Sequence, residues 1–158
     1  MGTSYSPDCE YVDGLIVQRN VGKRKHSLTQ TQLAAALMKV LEQTPWIALV
    51  EQRVRITETR VRIPDLCVVS RHDEEEIVTK PPLLCVEVLS PDDRWKRVSA
   101  SVGDYLEMGV ACVWVVDPYS RRAWIYDEEH PPVEVHDNAL RAAKLAVELE
   151  LASLLPPE

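Results

Sequence analysis

The stretch PPLLCVEVLSPDD, residues 81–93, decides how the chain folds. Within residues 83–89 apolar side chains fall on both parities: Leu83, Cys85 and Leu89 on one, Leu84, Val86 and Val88 on the other. A strand of that kind is covered on both faces. Glu87 stands in the middle of it. An ionised carboxylate there is costly unless it is paired or bound to a metal, and burial alone drives its pKa upward. The strand ends in Ser90-Pro91-Asp92-Asp93, where Ser90 suits an N-cap, Pro91 the first helical position and the two aspartates the positive end of a helix dipole. The reading is a strand that carries an acid and runs straight into a helix start.

The helix after this junction is expected over residues 92–108, with Trp95, Val98, Val102, Tyr105 and Leu106 at 3.6-residue spacing and Gly109 in the C′ position. Upstream, residues 47–56 and 60–70 alternate strongly, and the apolar parity switches from Val54 and Ile56 to Val61 and Ile63. That switch predicts a hairpin turning at residues 57–59. With Val61 and Ile63 facing the core, Asp65 shares their side, ahead of the apolar run Leu66, Cys67, Val68 and Val69. Residues 71–80, RHDEEEIVTK, read as a charged loop whose acidic run is a solvated face.

Downstream, residues 110–116 form another buried strand ended by Asp117-Pro118, residues 123–126 return as its hairpin partner, and residues 133–135 make a short strand. The alternation of Leu145, Val147, Leu149 and Leu151 suggests a strand before a turn of helix, although residues from Asn138 onward also allow a helix. At the other end, residues 10–17 read as strand, turn and strand about Asp13-Gly14. The basic run Arg19, Lys23, Arg24, Lys25, His26 follows as a loop. Ser27 with Gln30 fits a capping box for a helix over residues 28–43, whose apolar face is Leu33, Leu37, Val40 and Leu41.

At 158 residues, 46% of them hydrophobic and with no stretch of linker composition, the chain fits one α/β or α+β domain over residues 1–158. No apolar run approaches the roughly 20 residues of a membrane span, and the first residues lack the pattern of a signal peptide, so a cytoplasmic protein is expected. Cys9, Cys67, Cys85 and Cys112 form no pair at zinc spacing and read as buried free thiols of a reducing compartment. A net charge of -7 argues against nonspecific coating of nucleic acid and leaves local basic patches open.

Asp65 and Glu87, on strands that can be neighbours, could face each other as a divalent-cation site, with water and phosphate in the remaining positions. The competing reading has Asp65 capping a turn and Glu87 paired with Arg62 or Arg97. Other residues also carry two readings. His26 is either a phosphate contact or a solvated residue at a helix start. Glu10 is either a further acid of the site or a surface residue. Arg53, Arg55, Arg60 and Arg62 either track a DNA backbone or form a solvated face paired with Glu51 and Glu58. The tryptophans are core or interface anchors, with Trp95 a candidate wall of the site.

Taken together, residues 62–69 (RIPDLCVV), residues 81–91 (PPLLCVEVLSP), Tyr105 to Gly109 and residues 113–118 (VWVVDP) closely resemble the Uma-two family of restriction endonucleases, within the PD-(D/E)XK nuclease superfamily. The likeness extends to Glu10, Asp13-Gly14 and His26-Ser27. It implies a restriction-endonuclease-like core, a mixed β-sheet flanked by helices, and hydrolysis of DNA phosphodiesters with Mg²⁺ or Mn²⁺ held by Asp65 and Glu87. It also implies a homodimer, for which the hairpin at residues 123–126 and the C-terminal strand are the candidate contact.

One element of the family pattern is missing. The lysine expected two residues after the acid is Leu89, and at the alternative position in the following helix, four residues before Tyr105, stands Ser101. Arg97, one turn before Ser101 and about 40° from it around the helix, and Lys96 are the available substitutes. Arginine stabilises charge and cannot serve as a base. The resemblance therefore implies slow or absent cleavage unless Arg97 or Lys96 reaches the metal, and the alternative is a degenerate nuclease fold that binds DNA or a protein partner.

Overall fold

A computed structural model describes residues 9–19 and 22–158. Its centre is a six-stranded mixed sheet containing β3 (Trp46–Val50), β6 (Leu66–Ser70), β7 (Leu84–Val88), β8 (Cys112–Asp117), β9 (Arg122–Asp127) and β10 (Val133–Glu134), in the order β10-β9-β8-β7-β6-β3. β7 and β8 are parallel and the other pairings are antiparallel. Parallel neighbours need a crossover, and helix α2 (Trp95–Met108) supplies it.

Both faces of this sheet are covered, which is why β7 is apolar on both parities. Leu66, Val68, Leu84, Val86, Val88, Trp114 and Val116 pack with Leu33, Leu37 and Leu41 from and just beyond helix α1 (Arg24–Val40) and with the C-terminal Leu140, Val147, Leu151 and Leu154. The alternate residues Cys67, Val69, Cys85, Val113 and Val115 pack with Val98, Val102 and Tyr105 of α2 and with Val54. Cys67, Cys85 and Cys112 are buried free thiols, Cys9 is partly exposed, and burial pushes the Cys67 and Cys112 thiols up to about 12.

The hairpin turning at residues 57–59 forms, but each of its arms breaks in two. β4 (Val54–Thr57) and β5 (Arg60–Arg62) leave the large sheet and join β1 (Cys9–Val12) and β2 (Leu15–Gln18) in a second sheet, ordered β2-β1-β5-β4. One break is at Glu51, whose φ is 51°; the other is at Ile63-Pro64-Asp65, where proline has no N–H for a ladder. The two breaks are tied by Glu51 N–H donating to the Asp65 carbonyl at 3.2 Å. The break also resets the facing of β5. Arg62 is the buried residue there and Val61 is only partly covered, contrary to the parity expected from the sequence.

Both long helices start elsewhere than expected. α1 begins one turn early at Arg24, so that Lys25 and His26 are helical and Ser27 lies inside it. Gln30 closes no capping box; its Nε2 donates to the Asp65 carbonyl at 3.1 Å. α2 begins at Trp95, because Ser90-Pro91-Asp92-Asp93 forms a turn instead, with Ser90 N–H donating to Asp93 Oδ2 at 2.7 Å and Asp93 N–H to the Ser90 carbonyl at 3.1 Å.

The C-terminal end of α2 follows expectation. Gly109 adopts φ 102°, and Gly109 N–H and Val110 N–H cap the carbonyls of Leu106 and Tyr105. A Cβ at this position would meet Pro81 Cγ at an ordinary 3.5 Å, so the cost of a side chain is in the backbone. Gly109→Ala should lower stability by about 1 kcal/mol, read as a lower denaturant midpoint at unchanged slope.

The Asp13-Gly14 turn also forms, with both residues at positive φ. At the C-terminus, β11 (Ala139–Ala142), a short 3₁₀ turn (Ala143–Leu145), β12 (Val147–Glu150) and helix α3 (Leu151–Leu154) replace the helical alternative from Asn138. Val147, Leu151 and Leu154 are buried in the core, and β9 lies between β8 and β10.

Candidate active site

The ladder between β6 and β7 pairs Cys67 with Cys85 and Leu66 with Val86. One step further along the same register stand Asp65 and Glu87, on the side of the sheet that α2 covers. Pro64 ends the ladder at that point, and the free end opens a cleft lined by Glu10, Arg19, Asp65, Glu87, Arg97 and Ser101, with His26 at its wall. Position 65 is held on several sides. Val88 N–H donates to Asp65 Oδ2 at 2.8 Å, Arg19 Nη2 donates to Oδ1 at 3.1 Å, and His26 Nε2 stands 3.4 Å from the same oxygen.

Glu87 accepts a 2.6 Å hydrogen bond at Oε1 from the Tyr105 hydroxyl of α2. Neither Arg62 nor Arg97 pairs with it, so the ion-pair reading of Glu87 does not hold. Protein surrounds its carboxyl while one edge stays open to the cleft. Burial, followed by the fields of Asp65 and Glu10, raises its pKa well above 4.5 against the opposing pull of Tyr105 and Arg19.

A carboxyl whose folded pKa exceeds its unfolded value favours the folded state when protonated, and that advantage is lost as pH rises above the unfolded value. Glu87→Gln keeps an oxygen for Tyr105 and removes the charge. In EDTA it should therefore raise the thermal midpoint at pH 8, with the gain shrinking toward zero below about pH 4.5.

His26 is a buried residue of α1, and the solvated reading does not hold. Burial works to lower its pKa, but the bond to Asp65 and the field of that carboxylate outweigh burial and leave it raised. Among the described residues its Nδ1 has no hydrogen-bond partner, and Gly22 lies so close that a Cβ there would come 2.5 Å from that nitrogen.

Glu10 is also buried, and its oxygens are committed. Oε1 accepts Ile63 N–H at 3.0 Å and Oε2 accepts Arg62 Nη1 at 2.9 Å. Arg62 donates in turn to Asp104 of α2 at 2.8 Å, and Arg60 joins Asp104 to Asp13. This chain of charges ties the second sheet to α2 and holds Ile63, two residues before Asp65. Arg60 and Arg62 are thus consumed inside the protein by Asp13, Glu10 and Asp104, and not by Glu51 or Glu58; Arg53 and Arg55 remain exposed.

Arg97 lines the cleft, 4.0 Å from Asp93 Oδ1. Ser101 lines it too and is buried. Lys96 is exposed and is not among the lining residues. Trp95 does not wall the cleft either; it is 49% exposed and meets Trp124 edge-on at 5.2 Å.

Among the described residues no three His, Cys, Asp or Glu side chains form a ready metal cage. A pair of carboxylates suits a hard cation that keeps its other positions for water and phosphate, as Mg²⁺ does. The donor set fits that ion: burial raises the pKa of Glu87 first and the fields of Asp65 and Glu10 add to it, and a bound cation would offset that carboxylate repulsion. Arg19 and Asp104 are neighbours of the site that the sequence did not point to, and Tyr105, part of the family pattern, carried no sign that it would meet Glu87. Arg19 sits in a basic run with no periodicity to aim it, while Tyr105 reads as an ordinary core residue of α2.

The chain was compared with known proteins. A solved structure described as a putative nuclease belonging to DUF820, from Anabaena variabilis ATCC 29413, superposes with a TM-score of 0.85 at 22% identity, covering 95% of this chain and 90% of that one. At that identity the likeness shows the fold: a mixed α+β nuclease-like architecture. No curated protein matches significantly. The Uma2 family, described as putative restriction endonuclease, matches residues 4–154. With Asp65 just ahead of β6, Glu87 on the adjacent β7 and nearly its whole length matched, the chain belongs to the Uma2 family.

Proposed function

We propose that this chain is a divalent-metal-dependent endonuclease acting on DNA, with Asp65 and Glu87 as the metal ligands and Mg²⁺ or Mn²⁺ as the ion. The observation that carries the reading is the convergence of those two carboxylates at the open end of the β6–β7 ladder. The nuclease-like fold and the family support it. When bound, the ion supplies polarisation of the phosphate and of an attacking water.

The chain's own residues position the acids. Val88 N–H and Arg19 orient Asp65, and Tyr105 orients Glu87. In the reaction a water oxygen adds to phosphorus and one ester P–O bond breaks. The proton lost by the water is balanced by the one the leaving alkoxide takes up. Cutting both strands of a duplex takes two such sites, which a two-fold homodimer provides.

A second reading, a nuclease fold that binds DNA or a protein partner without cutting it, is favoured by one observation: Ser101 puts no charge in the cleft at the position of the family lysine. Plasmid nicking with Mg²⁺ or Mn²⁺, against EDTA and beside Asp65→Ala and Glu87→Ala, separates the two. Metal-dependent nicking lost in both variants supports the nuclease. Nicking that survives both rejects this site, and DNA retention without nicking by the wild type supports the binding module.

A further inference from the structure

We infer that the guanidinium of Arg19 is the phosphate-facing cation of this cleft, in the role that Ser101 leaves vacant. The inference rests on the nuclease reading of the site and adds a residue to it.

A cleft holding Asp65, Glu87 and Glu10 repels a phosphodiester, and the charge that grows on the phosphate during attack has to be met by fixed positive groups. Three cationic side chains reach this space. His26 is walled in, with Nε2 on Asp65 and Nδ1 against Gly22. Arg97 is 30% exposed and stands beside Asp93, 4.0 Å from a carboxylate that lines the cleft with it. Arg19 is 14% exposed and bonded to Asp65 itself.

Its surroundings single Arg19 out. It lines the cleft together with Asp65, Glu87 and Glu10, 3.1 Å from Asp65 Oδ1. Arginine has five N–H donors, and here Nη2 is the one bonded to a described residue, through Asp65 Oδ1. Among the described residues Nε and Nη1 have no partner, which leaves them for an incoming group, and a guanidinium fork matches two phosphate oxygens. Anchored through one nitrogen, the fork loses little further freedom when phosphate arrives.

Asp65 Oδ1 is the oxygen a cation would also take. Arg19 therefore opposes metal binding and favours phosphate binding, and removing it moves the two affinities in opposite directions. A residue that only braced the fold would weaken both.

The test uses the full chain as wild type, Arg19→Gln, Arg19→Lys and Arg97→Gln, each checked by thermal melting. Mn²⁺ is titrated in without DNA, retention of a labelled duplex oligonucleotide is measured in Ca²⁺, and plasmid nicking is followed in Mg²⁺. Arg19→Gln is expected to bind Mn²⁺ several-fold more tightly, to retain DNA about tenfold less well and to nick about 10²-fold to 10³-fold more slowly. Arg19→Lys should recover part of the DNA retention, and Arg97→Gln should lower retention and nicking by less than Arg19→Gln does.

Unchanged or weaker Mn²⁺ binding by Arg19→Gln overturns the inference, as does DNA retention within about twofold of wild type. A larger loss in Arg97→Gln assigns the role to Arg97 and overturns it too. If the wild type does not nick, the hydrolytic reading fails by itself, and the Mn²⁺ and DNA measurements still decide the role of Arg19.

Discussion

Asp65→Asn should reduce metal-dependent nicking by about 10³-fold or more and abolish measurable Mn²⁺ binding, while the protein still folds. Asparagine has the same shape, so its carbonyl oxygen can still accept Val88 N–H, the bond that joins this position to β7. The other side-chain atom becomes an amide donor. It would face Arg19 Nη2 and His26 Nε2, which now meet Oδ1 at 3.1 and 3.4 Å, so two acceptor contacts turn into donor–donor contacts.

The loss of binding follows from charge. With Asp65 neutral, Glu87 is the one proposed ligand left, beside an uncompensated Arg19, and one buried carboxylate of raised pKa is a poor seat for a divalent ion. Altering even groups behind the metal ligands commonly costs 10-fold to 100-fold in metal affinity, so losing a ligand outright costs more. A nicking gel, a Mn²⁺ titration and a melting curve read the three quantities separately. Nicking within tenfold of wild type in a folded Asp65→Asn protein would remove Asp65 from the site.

Arg62→Leu should destabilise the protein by about 3–5 kcal/mol, the largest stability effect expected of a single change at this site. Arg62 is 6% exposed and holds two carboxylates, Glu10 through Nη1 and Asp104 through Nε and Nη2. Leucine leaves both buried with one partner fewer. Asp104 keeps Arg60, whereas Glu10 keeps only Ile63 N–H.

The origin of that cost is itself testable. Replacing a whole buried ion cluster with neutral groups of similar shape is often close to neutral, whereas removing one member strands the others. The triple variant Arg62→Leu, Glu10→Gln, Asp104→Asn should therefore recover most of the loss in urea unfolding. A single-variant loss under about 1 kcal/mol, or no recovery in the triple, would mean that the charge chain does not hold the second sheet onto α2.

Much of the central sheet could be read from local pattern. Apolar residues on both parities of residues 83–89 and 110–116 required strands covered on two faces, and α1 and α2 cover them. Gly109 ended α2 as expected because a left-handed cap at that place needs only glycine and a preceding helical stripe. The Asp13-Gly14 turn was legible for the same kind of reason.

Where local pattern failed, a competing contact or a backbone break had intervened, in several cases from far along the chain. The Ser27–Gln30 capping box is absent because Gln30 is drawn to the Asp65 carbonyl, 35 positions away in sequence. Ser90 does not cap α2 because Asp93 turns back onto its N–H. The arms of the 57–59 hairpin read as continuous strands, since alternation does not reveal that they leave one sheet for another at Glu51 and Pro64. His26 and Arg62 look like surface cations in the sequence and are buried, because carboxylates from other elements meet them.

By itself the sequence determined the strand that bears Glu87, the apolar strand that follows Asp65 and the family pattern around them, since these depend on residue type and short-range periodicity. Tertiary structure alone decided what stands beside the two acids: Arg19 and His26 on Asp65, and Tyr105 on Glu87. The reason is physical. Hydrophobic period reports which way a strand or helix faces, but an ion pair between residues 19 and 65, or 62 and 104, forms only after the sheets and helices have packed.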